Sequence, residues 1–374
     1  MMQISLSAAV LSALVRPCGH QKGGSQLPRR LAVVDASTIR FEHYDEQPLK
    51  DGQVRFRALH SAVSTGTELM LLEGRAPRFT TGWDGNRRLT RSRTDHDRPY
   101  PVGIGYQFVG EVVDAASELR DQFTLGDVFW IDAHHADSIT IDVRTAPPMR
   151  RFNLANSWHA AFFPMVRIAL GAVHDARPLI GDHATVFGGG MIGLLSAVLL
   201  RRSGTASVTL VEPQAARRHI AQGLGLHTID PAVGPPADIL QDSGIRADVV
   251  IEASGNYEAL DEALRAARMH GTVVVVSSYG NQDAGIRLGH EFHRNRLTVL
   301  SSMTINGCAH RDHPRWDLER LNAEAARLIE NKKLGLDQMG VENFAFEDAP
   351  EAFKYLADRE AAPPSVRFDY GAGR

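Results

Sequence analysis

The chain of 374 residues contains very little cysteine, since Cys18 and Cys308 are the only two. No Cys-x-x-Cys pair occurs. This excludes both a disulfide scaffold and a structural zinc lobe built on four thiolates. Such sparing use of cysteine is typical of a reducing compartment, and we expect the protein to be cytoplasmic.

The chain also lacks a basic excess and a long apolar segment. Its 41 Lys and Arg are balanced by 44 Asp and Glu, and the net charge of −3 argues against nucleic acid as a partner. Met1–Val15 is apolar, but it has no basic start and is too short to span a bilayer, so we expect no membrane partner. We interpret it as a flexible extension or the result of an over-early start codon, with a targeting segment as the alternative.

The pattern of predicted strands and helices divides the rest of the sequence into three parts. Residues 30–160 contain short strand-like runs broken by Asp, Pro and Gly. Residues 161–304 alternate strands with helices, which predicts a parallel sheet wound right-handedly. Residues 305–374 contain two amphipathic helices and a closing strand. We expect this last piece to pack on the first, so that an α/β unit is inserted into a β-rich domain, preceded by a flexible extension over residues 1–29.

The strongest motif is Gly188-Gly189-Gly190-Met191-Ile192-Gly193, which fits Gly-x-Gly-x-x-Gly between a predicted strand and an apolar helix. Gly188 permits the tight turn, Gly190 lets the backbone approach a pyrophosphate, and Gly193 lets the helix pack on the strand. The helix N-terminus, with Met191 and Ile192, offers free amides to the phosphates. These features predict a dinucleotide site.

An acidic residue supports this prediction and indicates which cofactor binds. Glu212 ends the next strand, 22 residues after Gly190, where a carboxylate can accept both ribose hydroxyls. Its charge would repel a ribose 2′-phosphate, which favours NAD(H) over NADP(H). We interpret the nearby Arg217 and Arg218 as a solvated helix face. Because these cations could also reach a 2′-phosphate, NADP(H) stays open.

From about Arg30 to Tyr370 the chain resembles the medium-chain dehydrogenase/reductase family, whose members are alcohol dehydrogenase-like. The segments that carry the resemblance are Ser64-Thr-Gly-Thr-Glu68 with Gly74, Pro101-Val-Gly-Ile-Gly-Tyr-Gln-Phe-Val-Gly-Glu-Val-Val113, Gly181-Asp182, Glu252-Ala-Ser-Gly255 and Ser277-Ser-Tyr-Gly280. Residues 172–176 and 292–297 resemble the branch that includes bacteriochlorophyllide dehydrogenase.

The resemblance implies an α/β fold with a doubly wound Rossmann sheet inserted into a β-rich, GroES-like catalytic domain. It adds Arg217, Ser254, Ser277 and Tyr279 to the expected cofactor-binding residues. Leu297–Met303 is predicted as the last strand of the Rossmann sheet, an apolar edge that invites pairing. Because the family commonly pairs there, the resemblance implies a homodimer.

The departures from the family concern its catalytic zinc. Where zinc-containing members have their first cysteine this chain has Thr65, and where they have His-Glu it has Tyr106-Gln107. Near the third ligand stands Phe163-Pro-Met-Val-Arg167, which contains no Cys, Glu or Asp. Hydroxyls and amides are poor zinc ligands, and we interpret His134-His135 as an exposed pair in a loop. We therefore predict no zinc.

Without a metal, the candidate catalytic residues come from the same positions. The phenol of Tyr106 can donate a hydrogen bond to a carbonyl or take part in proton transfer, although it could instead only fill the vacated zinc site. Thr65 and Thr67 would extend it into a hydroxyl chain. Glu68 is expected to orient Tyr106 or Gln107.

These residues favour an oxidoreductase that transfers a hydride between nicotinamide and an alcohol or carbonyl of a small-molecule substrate. Two alternatives stay open: an enoyl or quinone reductase of the same family, and a nucleotide-binding relative without turnover. Steady turnover of a nicotinamide cofactor would separate the last from the others.

A basic segment between the Thr65 turn and Tyr106 bears on the substrate. Residues 75–98 hold seven arginines and only three aspartates, a formal charge of +4. The segment shows no clear helical or strand period, so we expect a long loop that is either a mobile, solvated surface or a lid. As a lid, Arg87 and Arg88 would hold an anionic group of a biosynthetic intermediate. The arginines are Arg75, Arg78, Arg87, Arg88, Arg91, Arg93 and Arg98.

Overall fold

The computed structural model describes residues 27–92, 100–154, 157–280, 285–303, 316–358 and 362–371. Short strands dominate the chain as far as Ala176, as the broken apolar runs predict. The elements of this part are β1 (Arg29–Asp35), β2 (Thr38–His43), β3 (Gln53–Ala62), α1 (Thr65–Leu72), β4 (Thr81–Asp84), β5 (Leu89–Ser92), β6 (Val102–Gly103), β7 (Phe108–Ala115), β8 (Val128–Ile131), β9 (Ser138–Asp142), β10 (Met149–Phe152) and α2 (Phe163–Ala176).

The middle of the chain alternates strands with helices. Its elements are β11 (His183–Phe187), α3 (Met191–Arg202), β12 (Ser207–Val211), α4 (Ala215–Gly223), β13 (His227–Ile229), α5 (Pro236–Asp242), β14 (Ala247–Glu252), α6 (Tyr257–Ala266), β15 (Ala267–Val275), α7 (Glu291–Arg294) and β16 (Thr298–Ser301). The strands form one parallel sheet in the order β13-β12-β11-β14-β15-β16. This is the doubly wound order, in which the switch point lies at the carboxyl end of β11.

The last part of the chain returns to the first. It contains α8 (Leu318–Glu330), β17 (Val341–Ala345), α9 (Ala349–Ala357) and β18 (Ser365–Asp369). β18 pairs antiparallel with β3, and the resulting mixed sheet has the order β10-β8-β7-β3-β18-β17 with β9 on β3. The predicted fold class, a Rossmann sheet inserted into a β-rich part, is confirmed.

The basic segment is more regular than its sequence predicts. β4 and β5 pair as an antiparallel hairpin, whereas a loop without strand period was expected over residues 75–98. An ion pair between Arg91 and Asp84, at 2.6 Å, bridges the two strands. Arg87 and Arg88 lie at the exposed hairpin tip, while Arg93 and Arg98 lie outside the described residues.

The long apolar helix of a membrane span does not occur among the described residues. Two of the helices that do occur, α6 and α8, begin with a side-chain cap. Asn256, for example, precedes α6 and accepts a hydrogen bond from the Glu258 amide at 2.7 Å. Asp317 accepts from the Arg320 amide at 2.7 Å at the start of α8.

Candidate active site

The glycine-rich turn follows β11 at the switch point of the parallel sheet. Gly188 has φ +100°, and a Cβ there would lie 2.9 Å from the backbone of Ser254. A Cβ on Gly193 would lie 1.8 Å from the carbonyl oxygen of Gly188. Both positions therefore exclude a side chain because the backbone itself is in the way.

Gly190 differs from these two glycines. It directly precedes α3, and a Cβ there would meet no atom of the described residues within 4 Å. The space before the helix N-terminus is open, as a dinucleotide phosphate would require. Behind it, Met191 is buried and Ile192 packs against the core, so these two residues offer their backbone amides rather than their side chains.

Glu212 lies beside this turn at the end of β12. Its carboxylate is only 3% exposed and accepts hydrogen bonds from the amides of Gly189 at 2.6 Å and Gln214 at 2.8 Å. The two amides fix the carboxylate next to the open approach at Gly190. The acid predicted from the spacing is therefore adjacent to the motif in space.

Arg217 does not lie where the sequence analysis placed it. Its guanidinium donates to the carbonyl oxygens of Ala362 and Pro363, both at 3.0 Å. The residue thus ties α4 to the segment before β18, and the interpretation as a solvated helix face is wrong. Arg218 also has partners, since it pairs with Asp230 at 2.7 Å.

Ser254, Ser277 and Tyr279 gather around one buried carboxylate that the sequence analysis did not single out. Glu252 ends β14 and is fully buried. It accepts hydrogen bonds from the Ser254 amide at 2.7 Å and from the Tyr279 hydroxyl. The Ser277 hydroxyl lies 3.5 Å from the Glu252 carbonyl oxygen. The sequence signal that could have identified Glu252 is its position as an acidic residue at the carboxyl end of a buried parallel strand.

Thr65, Thr67 and Tyr106 form a second cluster at the start of α1. Burial raises the pKa of Tyr106 to about 12, while the side chains of Ser64 and Thr67 act to lower it. The Thr65 hydroxyl donates to the Pro364 carbonyl at 3.5 Å. The Thr65 hydroxyl thus has the Pro364 carbonyl as its partner rather than Tyr106, and the tyrosine stays protonated at neutral pH.

Glu68 has different partners from those predicted. Its carboxylate accepts from the Ser64 amide at 2.7 Å and lies 2.9 Å from Nε2 of His135, whereas Tyr106 or Gln107 was the expected partner. His135 is completely buried, and its Nδ1 lies 2.7 Å from the Ser61 hydroxyl. The interpretation of His135 as an exposed loop residue is wrong, because both ring nitrogens are used inside the core.

The two clusters approach each other across the molecule. The loop after Tyr279 reaches α1, since a Cβ on Gly280 would lie 3.5 Å from Sδ of Met70 and 3.6 Å from the Arg75 carbonyl oxygen. The carboxyl end of the parallel sheet thus meets the helix that carries Thr65, Thr67 and Glu68.

Comparison with known proteins identifies this arrangement. The family model described as zinc-binding dehydrogenase matches residues 192–322. D-guloside 3-dehydrogenase of Escherichia coli (strain K12) is 26% identical over 341 residues, which cover 89% of this chain and 94% of that protein. (R,R)-butanediol dehydrogenase of Bacillus subtilis (strain 168) is 25% identical over 300 residues, 72% of this chain and 80% of that protein.

The chain is thus similar to dehydrogenases over most of its length, and to the zinc-binding dehydrogenase family model over residues 192–322. A structure described as a zinc-binding dehydrogenase of Sinorhizobium meliloti 1021, bound to NADP, superposes with a TM-score of 0.72 at 21% identity and covers 92% of this chain and all of the other. The family model itself spans the nucleotide-binding side and stops short of Thr65 and Tyr106, so it does not bear on the residues of a zinc site.

Those residues of this chain do not fit a catalytic zinc. Thr65 and Tyr106 present neutral hydroxyls, and Gln107 donates its amide to the Ala62 carbonyl at 3.0 Å. Both nitrogens of His135 already have partners. No group of three His, Cys, Asp or Glu side chains suited to a metal ion occurs within the described ranges.

Sequence reasoning missed Asp132 and named Arg167 only as the end of the segment near the third zinc-ligand position. Asp132 directly follows β8, and Arg167 lies in the second turn of α2. Burial lowers the pKa of Arg167, while the negative charges of Asp132 and of ionised Tyr106 act to raise it. Neither residue belongs to a motif.

Proposed function

We propose that the protein is an NAD(H)-dependent dehydrogenase that oxidises a secondary alcohol of a sugar-like or polyol substrate, or reduces the corresponding carbonyl, without zinc. The observation that carries the proposal is the Gly188–Gly193 turn with Glu212 fixed beside it at the switch point of the sheet. A bound nicotinamide supplies hydride transfer. The sugar-like substrate class follows from the relatives, which act on a guloside and on butanediol according to their names.

Each part of the chain would have a separate task in this function. Residues 161–304 would form the dinucleotide-binding domain, and residues 30–160 with 305–374 the GroES-like catalytic domain. Gly188, Gly190, Gly193 and the amides of Met191 and Ile192 would receive the pyrophosphate. Glu212 would accept the ribose hydroxyls and disfavour a 2′-phosphate.

Tyr106, Thr65 and Thr67 would contact the reacting oxygen on the catalytic side. A phenol that stays protonated can donate a hydrogen bond to a carbonyl or alkoxide oxygen. Glu68 would act indirectly, by fixing the Ser64–Thr65 turn through the Ser64 amide.

Several narrower expectations stay proposals. The edge formed by β16 and the residues directly after it, with Val299 and Met303 at 40% and 57% exposure, would form the homodimer contact. Arg87 and Arg88 at the hairpin tip would hold an anionic substrate group. The cytoplasmic location and the link to the bacteriochlorophyllide dehydrogenase branch also stay hypotheses.

The test is cofactor binding followed by turnover. Titration by NADH fluorescence should show saturable binding that is tighter than that of NADPH. The protein should then reduce NAD⁺ in the presence of methyl D-guloside or butane-2,3-diol. Binding without any turnover would indicate a nucleotide-binding relative, and reduction of an enone or quinone instead would indicate the reductase alternative.

A further inference from the structure

Two arginines on α4 follow Glu212, and the structure gives them different partners. Arg217 is held by the last part of the chain, because its guanidinium donates to the carbonyl oxygens of Ala362 and Pro363 at 3.0 Å each. The guanidinium of Arg218 donates instead to the carbonyl oxygen of Glu212 itself, at 2.8 Å. Of the two cations, Arg218 is therefore the one that lies at the end of β12, beside the acid.

The acidic partner of Arg218 comes from the neighbouring strand. Nη2 of Arg218 lies 2.7 Å from Oδ2 of Asp230, the residue directly after β13. The residues Val211 and Ile229, which end β12 and β13, are partners in the parallel pairing of these two strands. Glu212 and Asp230 therefore leave adjacent strands at the same level. Two carboxylates and one guanidinium thus share this part of the carboxyl edge of the sheet.

We propose that Asp230 is a second determinant of nucleotide choice, because it holds Arg218 in an ion pair and so keeps this cation from a ribose 2′-phosphate. The inference rests on the proposed dehydrogenase function and names the residues that decide which dinucleotide the site accepts. Glu212 repels the 2′-phosphate, and Asp230 binds the arginine that would otherwise attract it.

The difference between the two nucleotides explains why this ion pair matters. NADP(H) carries a phosphate on the 2′ oxygen of the adenosine ribose, where NAD(H) has a hydroxyl. An acid at the end of the second strand favours the hydroxyl, whereas an arginine nearby accommodates the phosphate. Guanidinium binds phosphate through two parallel hydrogen bonds. A 2′-phosphate must therefore displace Asp230 before it can use the Arg218 guanidinium in full.

The ion pair is open to such competition and can be removed without removing its other contacts. The side chains of Arg218 and Asp230 are 17% and 27% exposed, so solvent reaches both. Oδ1 of Asp230 also accepts the Ala232 amide at 2.9 Å. Asp230→Asn keeps an oxygen for that amide and removes the negative charge. The two carboxylates and one guanidinium have a formal charge of −1 together, which becomes 0 in Asp230→Asn and +1 when Glu212→Ala is added.

The experiment is a set of variants compared by fluorescence titration with NADH and NADPH. Adding Asp230→Asn to Glu212→Ala should tighten NADPH about tenfold, while NADH affinity changes by less than about twofold. Adding Arg218→Gln to that double variant should remove the gain, because the cation that binds the phosphate is lost. In Asp230→Asn alone the gain should be smaller, since Glu212 still repels the phosphate.

Asp248→Asn is the matched control in the same sheet. Asp248 pairs with Arg268 at 2.6 Å and accepts the His183 amide at 2.9 Å, so it has the same kinds of partner as Asp230. It is the second residue of β14 and lies at the amino edge, opposite the glycine-rich turn. Added to Glu212→Ala, it should leave the ratio of NADPH to NADH affinity unchanged. The gain from Asp230→Asn should also shrink in added KCl, because a charge on the nucleotide produces it.

Three results would overturn the inference. The first is a double variant that binds NADPH no more tightly than Glu212→Ala does. The second is a gain that survives Arg218→Gln, and the third is an equal gain from Asp248→Asn. If the double variant does not fold, Asp230→Asn with and without Arg218→Gln provides the same comparison in the presence of Glu212.

These three outcomes leave the dehydrogenase function intact, since that function requires only that a nicotinamide cofactor binds and turns over. Failure of the unaltered protein to bind NADH or NADPH would overturn the proposed function and this inference together.

Discussion

The turn at Gly188–Gly193 and the cluster around Tyr106 are built on different principles. The turn acts through its backbone, since Gly188 and Gly193 have no room for a Cβ and Gly190 leaves the approach open. The Tyr106 cluster would act through side chains from separate parts of the chain, namely α1 and the segment before β7.

This difference explains why the glycine-rich turn can be predicted from the sequence and the partners in the Tyr106 cluster cannot. A backbone site must be contiguous, and its steric demands can be met by only one residue type, so the glycine spacing is visible in the sequence. A side-chain site needs only that charge and hydrogen-bonding groups converge in space. The predictions below test whether the turn depends on backbone sterics and whether the catalytic side depends on side-chain contacts.

The largest expected effect is at Gly193. Gly193→Ala would force a Cβ to within 1.8 Å of the Gly188 carbonyl oxygen, so the turn and α3 must separate. We expect the free energy of unfolding to fall by about 3 kcal/mol or more, as measured by urea denaturation of the cofactor-free protein.

Gly190→Ala is the matched control within the same motif. Its Cβ would meet no described atom within 4 Å, and φ −72° with ψ 177° suits any residue. Stability should change by less than about 0.5 kcal/mol, while NADH affinity should fall by about tenfold, or 1.4 kcal/mol. Equal stability losses in the two variants would remove the distinction between a packing glycine and a ligand-facing glycine.

The comparison between sequence and structure follows the same division. The strand, turn, helix and acid around Gly190 were predicted because local pattern determines them, and Glu212 was found from its spacing alone. The strands over residues 81–92 were missed because Thr81–Asp84 and Leu89–Ser92 have no apolar alternation. In the structure the two strands pair with each other, and the Arg91–Asp84 ion pair joins them.

The partners of the catalytic-side residues could not be predicted. His135 pairs with Glu68, which lies 67 positions away in the sequence, and Ser61 contacts Tyr370, which lies 309 positions away. Adjacent histidines in a turn-like stretch carry no signal of burial, and a cation on a helix carries no signal of what it faces. Tertiary packing alone fixes these contacts.

The next largest effect should come from the buried Glu68–His135 pair. Glu68→Ala leaves the His135 ring and the Ser64 amide without their acceptor inside the core, which should lower the free energy of unfolding by about 2–3 kcal/mol. Glu73→Ala, near the end of the same helix and beside the partly exposed Arg75, should cost less than about 1 kcal/mol. Similar losses of unfolding free energy at the two sites, measured by denaturant unfolding, would show that the buried Glu68–His135 pair stabilises the fold no more than an exposed ion pair does.

Glu212 should affect cofactor choice, in addition to the stability lost when the Gly189 and Gln214 amides lose their acceptor. Glu212→Ala removes the carboxylate beside Gly190, so NAD⁺ affinity should fall about 10- to 100-fold and NADP⁺ affinity should fall less. Glu252→Gln alters an equally buried acid that ends the neighbouring strand β14, and the ratio of the two affinities should not change there. A preference of the unaltered protein for NADP⁺ in fluorescence titration would refute the role given to Glu212.

The smallest effect concerns pH and belongs to the catalytic side. Burial lowers the pKa of His60 on β3 to about 4, with a further lowering from Arg367 and an opposing rise from Asp369. The folded-state pKa lies below the unfolded value of about 6.5, so the neutral ring stabilises the fold fully above pH 6.5. That contribution is lost as the pH falls from 6.5 towards 4, because the unfolded chain then binds a proton that the folded chain does not.

His60→Gln removes this group. The unfolding free energy of the variant should therefore decline less steeply than that of the unaltered protein over that pH window, by about 1 kcal/mol after screening of the partly exposed ring. Urea unfolding at pH 7, 5.5 and 4.5 measures the slopes, and parallel curves for the two proteins would show that His60 titrates normally in the fold.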